Sequence, residues 1–373
     1  MSTSASRPLY AYVGSRTTRE RDARGEGITV YRVDEATGGL QHLQTVDGLA
    51  NPSFLALDAA ATRLYTVHGD GHEVSVFARD TATGRLALLQ TRDCGGRNPV
   101  HLAIAPGGRQ LVVSDHLGEP AASDGHRGYG GPGGTLAVMP IAPDGRLGSV
   151  QQRLALPGQP GPHRKEQPFA KPHFNPFSPD GRFVLVPDKG QDRIFIFAFE
   201  HGRLVPAPQP WLDCREGSGP RHIAFHPALA CAYVVNELDN TVLTCRFDAA
   251  TGALQGLQIL STLPERFVGN SRAAGIEVLR DGRQVLVSNR GADGIAVFDV
   301  DPLTGLLHAS GGFASGGRTP RFFTASPDGR LLYVLNEDSD SIVCHARDDA
   351  WRPLASTHCA SPVCMAVSYT HLT

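Results

Sequence analysis

Four short motifs place ionisable side chains next to proline or asparagine. They are K-P-H ending at His173, P-R-H holding Arg221 and His222, V-N-E-L holding Glu237, and S-N-R-G holding Arg290. Asp188, Arg272 and Arg321 stand in comparable contexts. An imidazole can take up and return a proton near neutral pH, a carboxylate can do the same or fix a cation, and guanidinium forks suit carboxylates, phosphates and developing oxyanions. Other chemistries lack their residues: the chain has no G-x-S-x-G elbow, P-loop, H-E-x-x-H or EF-hand pattern. A metal site drawn from His101, His116, His126, His163 and His173 has no ligand spacing behind it. We therefore expect neither metal nor cofactor.

The elements that position these residues are read from a repeat. A unit of the form P-x-x-x-A-x-x-P-x-G-R-x-L-x-V-x-N, followed by an alternating apolar strand and a T-G-x-L turn, recurs along the chain. Copies begin at Pro52, Pro99, Pro172, Pro220 and Pro320, with one lacking the proline at Arg272. The proline starts are 47, 73, 48 and 100 residues apart, the last interval holding two units, so the period is about 47 to 50 with one enlarged unit. Each unit reads as four antiparallel strands joined by D-G and T-G turns. A seventh unit starts at Pro362 with SPVCMAV and stops, whereas LYAYVGS at the N-terminus supplies a second strand. The fold class predicted is all-β: a seven-bladed β-propeller of four-stranded blades, closed by the N- and C-terminal strands sharing one blade. A single domain over 1–368 is expected, with a Gly/Pro-rich insertion loop at 118–134 and a tail, 369–373, that is non-native or disordered.

In such a blade the first strand lines the channel and the second returns beside it, so the start of one and the end of the other share a mouth. That rule gathers Val100/His101 with Asp115/His116, Pro172/His173 with Asp188, and Arg221/His222 with Asn236/Glu237. It sets Arg272 against Asn289/Arg290 and Arg321 against Asn336/Glu337. The opposite mouth repeats the S-P-D-G-R turn, whose Asp and Gly have sufficient structural reason. A structural role also fits Asn236, Asn289 and Asn336, which can cap loop backbone. His173, Arg221, Glu237 and Arg290 are read as functional, because ionisable groups converging on a narrow channel carry a desolvation cost that a structural ring need not bear. His222, Arg272, Arg321 and Asp188 are read as substrate-binding candidates.

Composition limits the partners. With 35 basic and 37 acidic residues and a formal net charge of −2, no cationic face for nucleic acid or an anionic membrane is expected. No stretch approaches the ~20 apolar residues of a membrane span. Seven scattered cysteines without C-x-x-C spacing read as reduced thiols. These features point to a cytoplasmic protein acting as a monomer or homodimer on a small molecule.

The segments KPHFNPFSPDGRFVLVPDKGQDRIFIF, GPRHIAFHP, AYVVNELDNTV, SRAAGIEVLRDGRQVLVSNRG and TPRFFTASPDGRLLYVLNEDSDSI occur in order and in register. In this the chain resembles the lactonase family of seven-bladed propellers, which includes propeller-type 6-phosphogluconolactonases and the fungal carboxy-cis,cis-muconate cyclising enzymes. The resemblance runs from YVGS to SPVCMAV. It implies a metal-independent site at one channel mouth, with His173, Arg221, Glu237 and Arg290 as the functional set, acting on an anionic lactone and opening it to the sugar acid. His173 or Glu237 would be the base, and the arginines would divide oxyanion and anion recognition. The chain departs from the family pattern after Ser114-Asp115-His116 and at G-P-H-R-K-E-Q-P before K-P-H, which affects substrate choice. A lactonising cycloisomerase and a non-catalytic ligand- or protein-binding propeller are the alternatives.

Overall fold

Alternating apolar residues flanked by tight turns fold into seven antiparallel sheets around an axis. The computed structural model describes residues 8–117 and 133–369; most of the insertion loop read at 118–134, including His126, and the last four residues lie outside them. Blade 2, with strands Pro52–Leu57, Arg63–His68, Glu73–Arg79 and Leu86–Asp93, shows the common pattern of four strands in sequence order from the axis outward. Blades 3, 5, 6 and 7 repeat it, starting at Arg97, Pro220, Arg272 and Pro320. In blade 1 the inner strand is Pro362–Val367, paired antiparallel with Leu9–Ser15, so both ends of the chain build one sheet. Ser368 donates its backbone N–H to the Tyr10 carbonyl, and Tyr369 packs against the apolar cluster between blades 7 and 1.

Blade 4 differs from the four-strand expectation. Its regular strands are Phe183–Asp188, Arg193–Glu200 and Arg203–Asp213, while the inner segment 172–177 makes only single bridges, Pro172 to Asp188 and Phe177 to Val184. A proline like Pro172 also stands at the start of the intact inner strands of blades 2, 3, 5 and 7; Pro176, where blades 5 and 7 have Ala224 and Thr324, has no N–H to return to the ladder, which accounts for the broken strand.

Apolar side chains of adjacent blades interlock in seven buried clusters, one at each interface. Tyrosines on second strands cross these interfaces: the hydroxyls of Tyr12, Tyr65 and Tyr233 each donate to the carbonyl of the next blade's turn glycine at 2.9 Å. The blades are thereby fixed relative to one another, and so are the loops that end at each mouth.

Candidate active site

Two concentric sets of side chains meet at one mouth. The inner set comes from a bulge repeated at the start of the innermost strands. Pairing shifts between Pro52/Phe54, Pro99/His101, Pro220/His222 and Pro320/Phe322, leaving Ser53, Val100, Arg221 and Arg321 as the extra residues. A bulge of this kind re-aims the side chain it carries. The residue before each proline has positive φ: Asn51 at 39°, Asn98 at 52°, Gly219 at 62° and Thr319 at 60°. The outer set is the residue just past each second strand. Its N–H bonds back to that same turn, from Arg16 to Ser361 at 2.9 Å, Lys189 to Lys171 at 3.0 Å, Glu237 to Gly219 at 2.8 Å and Glu337 to Thr319 at 3.0 Å. One backbone bond, repeated from blade to blade, thus sets the spacing between the two rings.

Glu237 is the hub. One carboxylate oxygen lies 3.2 Å from Lys189 Nζ, 3.3 Å from Arg290 and 3.7 Å from Arg272, and the other lies 3.0 Å from Arg221 Nε. Burial alone would raise this carboxyl, but Lys189, Arg290, Arg221 and Arg321 outweigh it and hold the group well below the usual carboxylate range. Arg221 is buried; it donates to the Ala274 carbonyl at 2.6 Å and to His222 Nε2 at 3.1 Å. Arg290 donates to the Ala273 carbonyl at 3.0 Å.

His173 lies in the same group, its ring centroid 5.1 Å from that of His116 and 5.3 Å from that of His222. Burial, then the Arg221 charge, push its pKa well below the ordinary histidine value, so the imidazole is neutral. Its Nδ1 is buried without a hydrogen-bond partner among the described residues. Beneath it, ring contacts run from Phe174 to His222 at 4.3 Å, from His101 to Phe174 at 3.9 Å and from Phe54 to His101 at 4.2 Å, with Phe322 at 6.3 Å from Phe54. These rings come from inner segments of five blades and floor the channel. Above them opens a cavity of about 380 Å³ whose lining includes His116, His173, seven Lys or Arg side chains and only two carboxylates, Glu166 and Glu237. Four larger clefts, of about 510 to 1130 Å³, are lined without histidine. A neutral imidazole facing a surplus of cations can accept a proton from water and stabilise negative charge as it forms.

The family model described as "Lactonase, 7-bladed beta-propeller" matches residues 10–368. The chain belongs to this lactonase family. Its relatives include a 6-phosphogluconolactonase of Bacillus subtilis, 30% identical over 340 residues and 90% of each chain. A 6-phosphogluconolactonase of Formosa agariphila is 30% identical over 351 residues, covering 90% of this chain and 92% of its own. Among solved structures, the periplasmic gluconolactonase of Pseudomonas aeruginosa superposes with a TM-score of 0.85 at 29% identity, covering 96% of this chain and 99% of that one.

Within this lactonase, the expected residues separate by position. His173, Arg221, Glu237 and Arg290 come together, and His222 sits against Arg221. Arg321 lies across the cavity, 3.5 Å from Glu337. Arg272 is on the rim, because Ala273, not Arg272, pairs with Asn289 where other blades have proline; its guanidinium lies 2.9 Å from Glu166. Asp188 does not line the cavity. Its Oδ1 accepts the N–H groups of Lys171, Gly190 and Gln191 at 2.8–2.9 Å, a loop-capping role. Among the described residues no group of three or more His, Cys, Asp or Glu could hold a metal. His101 is bonded to Asn175, and His163 Nδ1 accepts the Glu166 N–H.

Sequence reasoning missed Arg16, Glu166, Lys171 and Lys189, all in the cavity wall. Lys189 and Arg16 occupy the ring position of Glu237, Arg290 and Glu337. The signal for them was available. Aligning Tyr12 with Tyr333 sets Ser15 against Asn336 and therefore Arg16 against Glu337. Glu166 had no repeat to reveal it. Its loop is anchored by the neighbouring Gln167, whose amide donates to the Lys189 carbonyl at 2.9 Å and to Asp192 at 2.7 Å.

Proposed function

We propose that the protein hydrolyses an anionic sugar lactone to the sugar acid, with His173 as general base. The observation that carries this reading is the neutral, buried His173 imidazole facing a cavity in which seven cations stand against two carboxylates. The family and the named activities of the Bacillus and Formosa relatives support the substrate class.

The chemistry favours His173 over Glu237 as the base. Glu237 is held ionised by cations on both oxygens, so it is a poor proton acceptor and instead fixes the guanidinium groups. His173 would take a proton from water as the water oxygen bonds to the lactone carbonyl carbon. Arg290, in the cavity wall, would hold the tetrahedral oxyanion, and the buried Arg221 would position Arg290 through Glu237, which both guanidinium groups contact. Its collapse breaks the bond from carbonyl carbon to ring oxygen, the ring oxygen receives the proton held by His173, and the new carboxylic acid releases its remaining proton to solvent and leaves as the carboxylate. Burial is the larger cause of the low His173 pKa and the Arg221 charge the next; an anionic substrate offsets the cationic part and raises basicity where it is needed.

In a pH-stat assay with glucono-1,5-lactone and its 6-phosphate, folded His173→Ala is expected to lose at least about 10²-fold in kcat, and folded Arg221→Ala a comparable factor. Undiminished turnover in both, and in Glu237→Gln, overturns the assignment. Reaction in isotope-labelled water separates hydrolysis, which puts solvent oxygen into the carboxylate, from cycloisomerisation, which does not. A cytoplasmic location belongs to the same reading. All seven cysteines are free thiols, as a reducing compartment requires, and no described helix is long and apolar enough to cross a membrane; the Pseudomonas relative is periplasmic.

A further inference from the structure

Most cations of the cavity have their charge met by nearby carboxylates. Lys189 lies between Glu166 and Glu237, each at 3.2 Å; Arg290 is 3.3 Å from Glu237; and Arg21 is paired with Asp70, Nε to Oδ2 at 2.7 Å. Lys171 has no carboxylate contact among the described residues and lies over the Phe169 ring, 5.1 Å from its centroid; the side formed by blades 1 and 7 differs in bringing two guanidinium groups together. Arg16 is 6% exposed, yet its closest carboxylate contact is Nε to Glu337 Oε1 at 3.8 Å, and its guanidinium makes no hydrogen bond among the described residues. Arg321 reaches only the other oxygen of the same Glu337, at 3.5 Å. Two guanidinium groups thus share one carboxylate that satisfies the hydrogen-bonding capacity of neither. A buried charge left in this state is costly unless a ligand completes it.

The backbone holds Arg16 in place for such a ligand. Its N–H donates to the Ser361 carbonyl at 2.9 Å, its carbonyl accepts the Gly25 N–H at 3.1 Å, and the next two N–H groups donate to Asn51 Oδ1 at 2.8 and 3.2 Å. Burial, followed by the Arg321 charge, lowers the Arg16 pKa to about 9, in keeping with an uncompensated pair of cations. In a ring of seven blades the interface of blades 7 and 1 lies across the axis from blade 4. Arg16 and Arg321 therefore face His173 across the cavity that all three line.

We propose that Arg16 and Arg321 form the subsite for a phosphate monoester on the end of the substrate remote from the lactone carbonyl. Two planar forks with free donors match the three oxygens and double charge of that group better than a single carboxylate. The proposal rests on the lactone-hydrolase reading for the substrate's orientation, but the phosphate site can be judged without turnover.

The kinetic test compares kcat/KM for 6-phosphoglucono-1,5-lactone with that for glucono-1,5-lactone in the wild type, Arg16→Gln and Arg321→Gln. The ratio is expected to fall about ten- to a hundredfold in each variant, the range for losing a hydrogen bond to a charged group. His173→Ala should lower both substrates together and leave the ratio in place. A ratio unchanged within about twofold in Arg16→Gln and Arg321→Gln overturns the subsite. The binding test follows the rise in thermal midpoint with inorganic phosphate, which reports affinity for the folded state. The wild type should be stabilised, and Arg321→Gln should need roughly tenfold more phosphate for the same rise. Equal stabilisation of both overturns the subsite. Failure of the wild type to open either lactone, with phosphate binding still dependent on Arg321, would overturn the hydrolase reading and leave the subsite standing. If Arg16→Gln does not fold, Arg321→Gln carries both comparisons, since its side chain is 21% exposed.

Discussion

At the residue scale, Asp188 shows how one ring position divides between chemistry and support. It occupies the place that Asn236, Asn289 and Asn336 take in blades 5, 6 and 7, opposite the first residues of the inner strand. Its Oδ1 accepts three backbone N–H groups, while Oδ2 is buried without a hydrogen-bond partner among the described residues. Burial outweighs those hydrogen bonds and raises the carboxyl from 3.8 to about 7. Because the folded value is the higher one, the neutral acid's contribution to stability is complete below pH ~4. It is lost as pH rises from there to about 7, where the unfolded chain has released its proton and the folded chain has not. Asp188→Asn keeps an acceptor for the three N–H groups and removes the titration. We expect urea unfolding to show the variant more stable than the wild type at pH 8 by roughly 1–3 kcal/mol, with the difference shrinking toward pH 4. A difference independent of pH would refute this account. The sequence placed Asp188 at the correct mouth, but side-chain direction depends on the bulge and on the turn that takes up its oxygens, and neither is visible in residue type. That His173, Arg221, Glu237 and Arg290 meet at one mouth was legible because each is an ionisable residue at a fixed place in its repeat unit.

At the scale of elements, strands and turns were legible wherever the repeat was intact, and blade 4's broken inner strand was not, because Pro176 withholds an N–H inside a strand whose starting proline matches the other blades. A second device escaped notice because it joins blades rather than building them. A glutamine on an outer strand clamps the backbone of a leucine in the next blade through both amide atoms. The pairs are Gln44 with Leu86, Gln90 with Leu147, Gln152 with Leu204, Gln209 with Leu254 and Gln258 with Leu307, all at 2.7–3.0 Å. Reading outer strands only as alternations hides a residue whose partner is 42 to 57 positions away. At the two remaining interfaces the corresponding places hold Gly311 and Ala355. Each clamp satisfies one N–H and one C=O of an edge strand, so Gln258→Ala should cost about 1–3 kcal/mol in chemical unfolding. Its kcat/KM should stay at the wild-type value, since the clamp lies at the rim of the wheel. A neutral effect on stability would show that water replaces the amide without loss.

At the scale of the whole molecule, the site depends on closure. The chain is near neutral overall at −2, yet its cations concentrate at one mouth, and that mouth is complete only when blade 1 brings Arg16 beside blade 7. Blade 1 is held by pairing between strands more than 340 residues apart, Ala11 with Val367 through Gly14 with Cys364. The cluster there buries Ala11, Val13, Tyr333, Leu335 and Met365 together. Removing the inner strand would expose the edge of Leu9–Ser15 and uncover apolar surface at both of its interfaces, against blades 7 and 2. A chain ending at Ser361 is therefore expected to lose cooperative thermal unfolding and to associate in gel filtration, where a modest fall in midpoint would be the outcome for a dispensable edge strand. Deleting residues 370–373 alone should leave the midpoint and lactone turnover at wild-type values. Cooperative folding of the chain ending at Ser361 with only a few degrees lost would mean that a three-stranded blade 1 suffices, and would remove the reason for Arg16 to be supplied by a blade built from both ends of the chain.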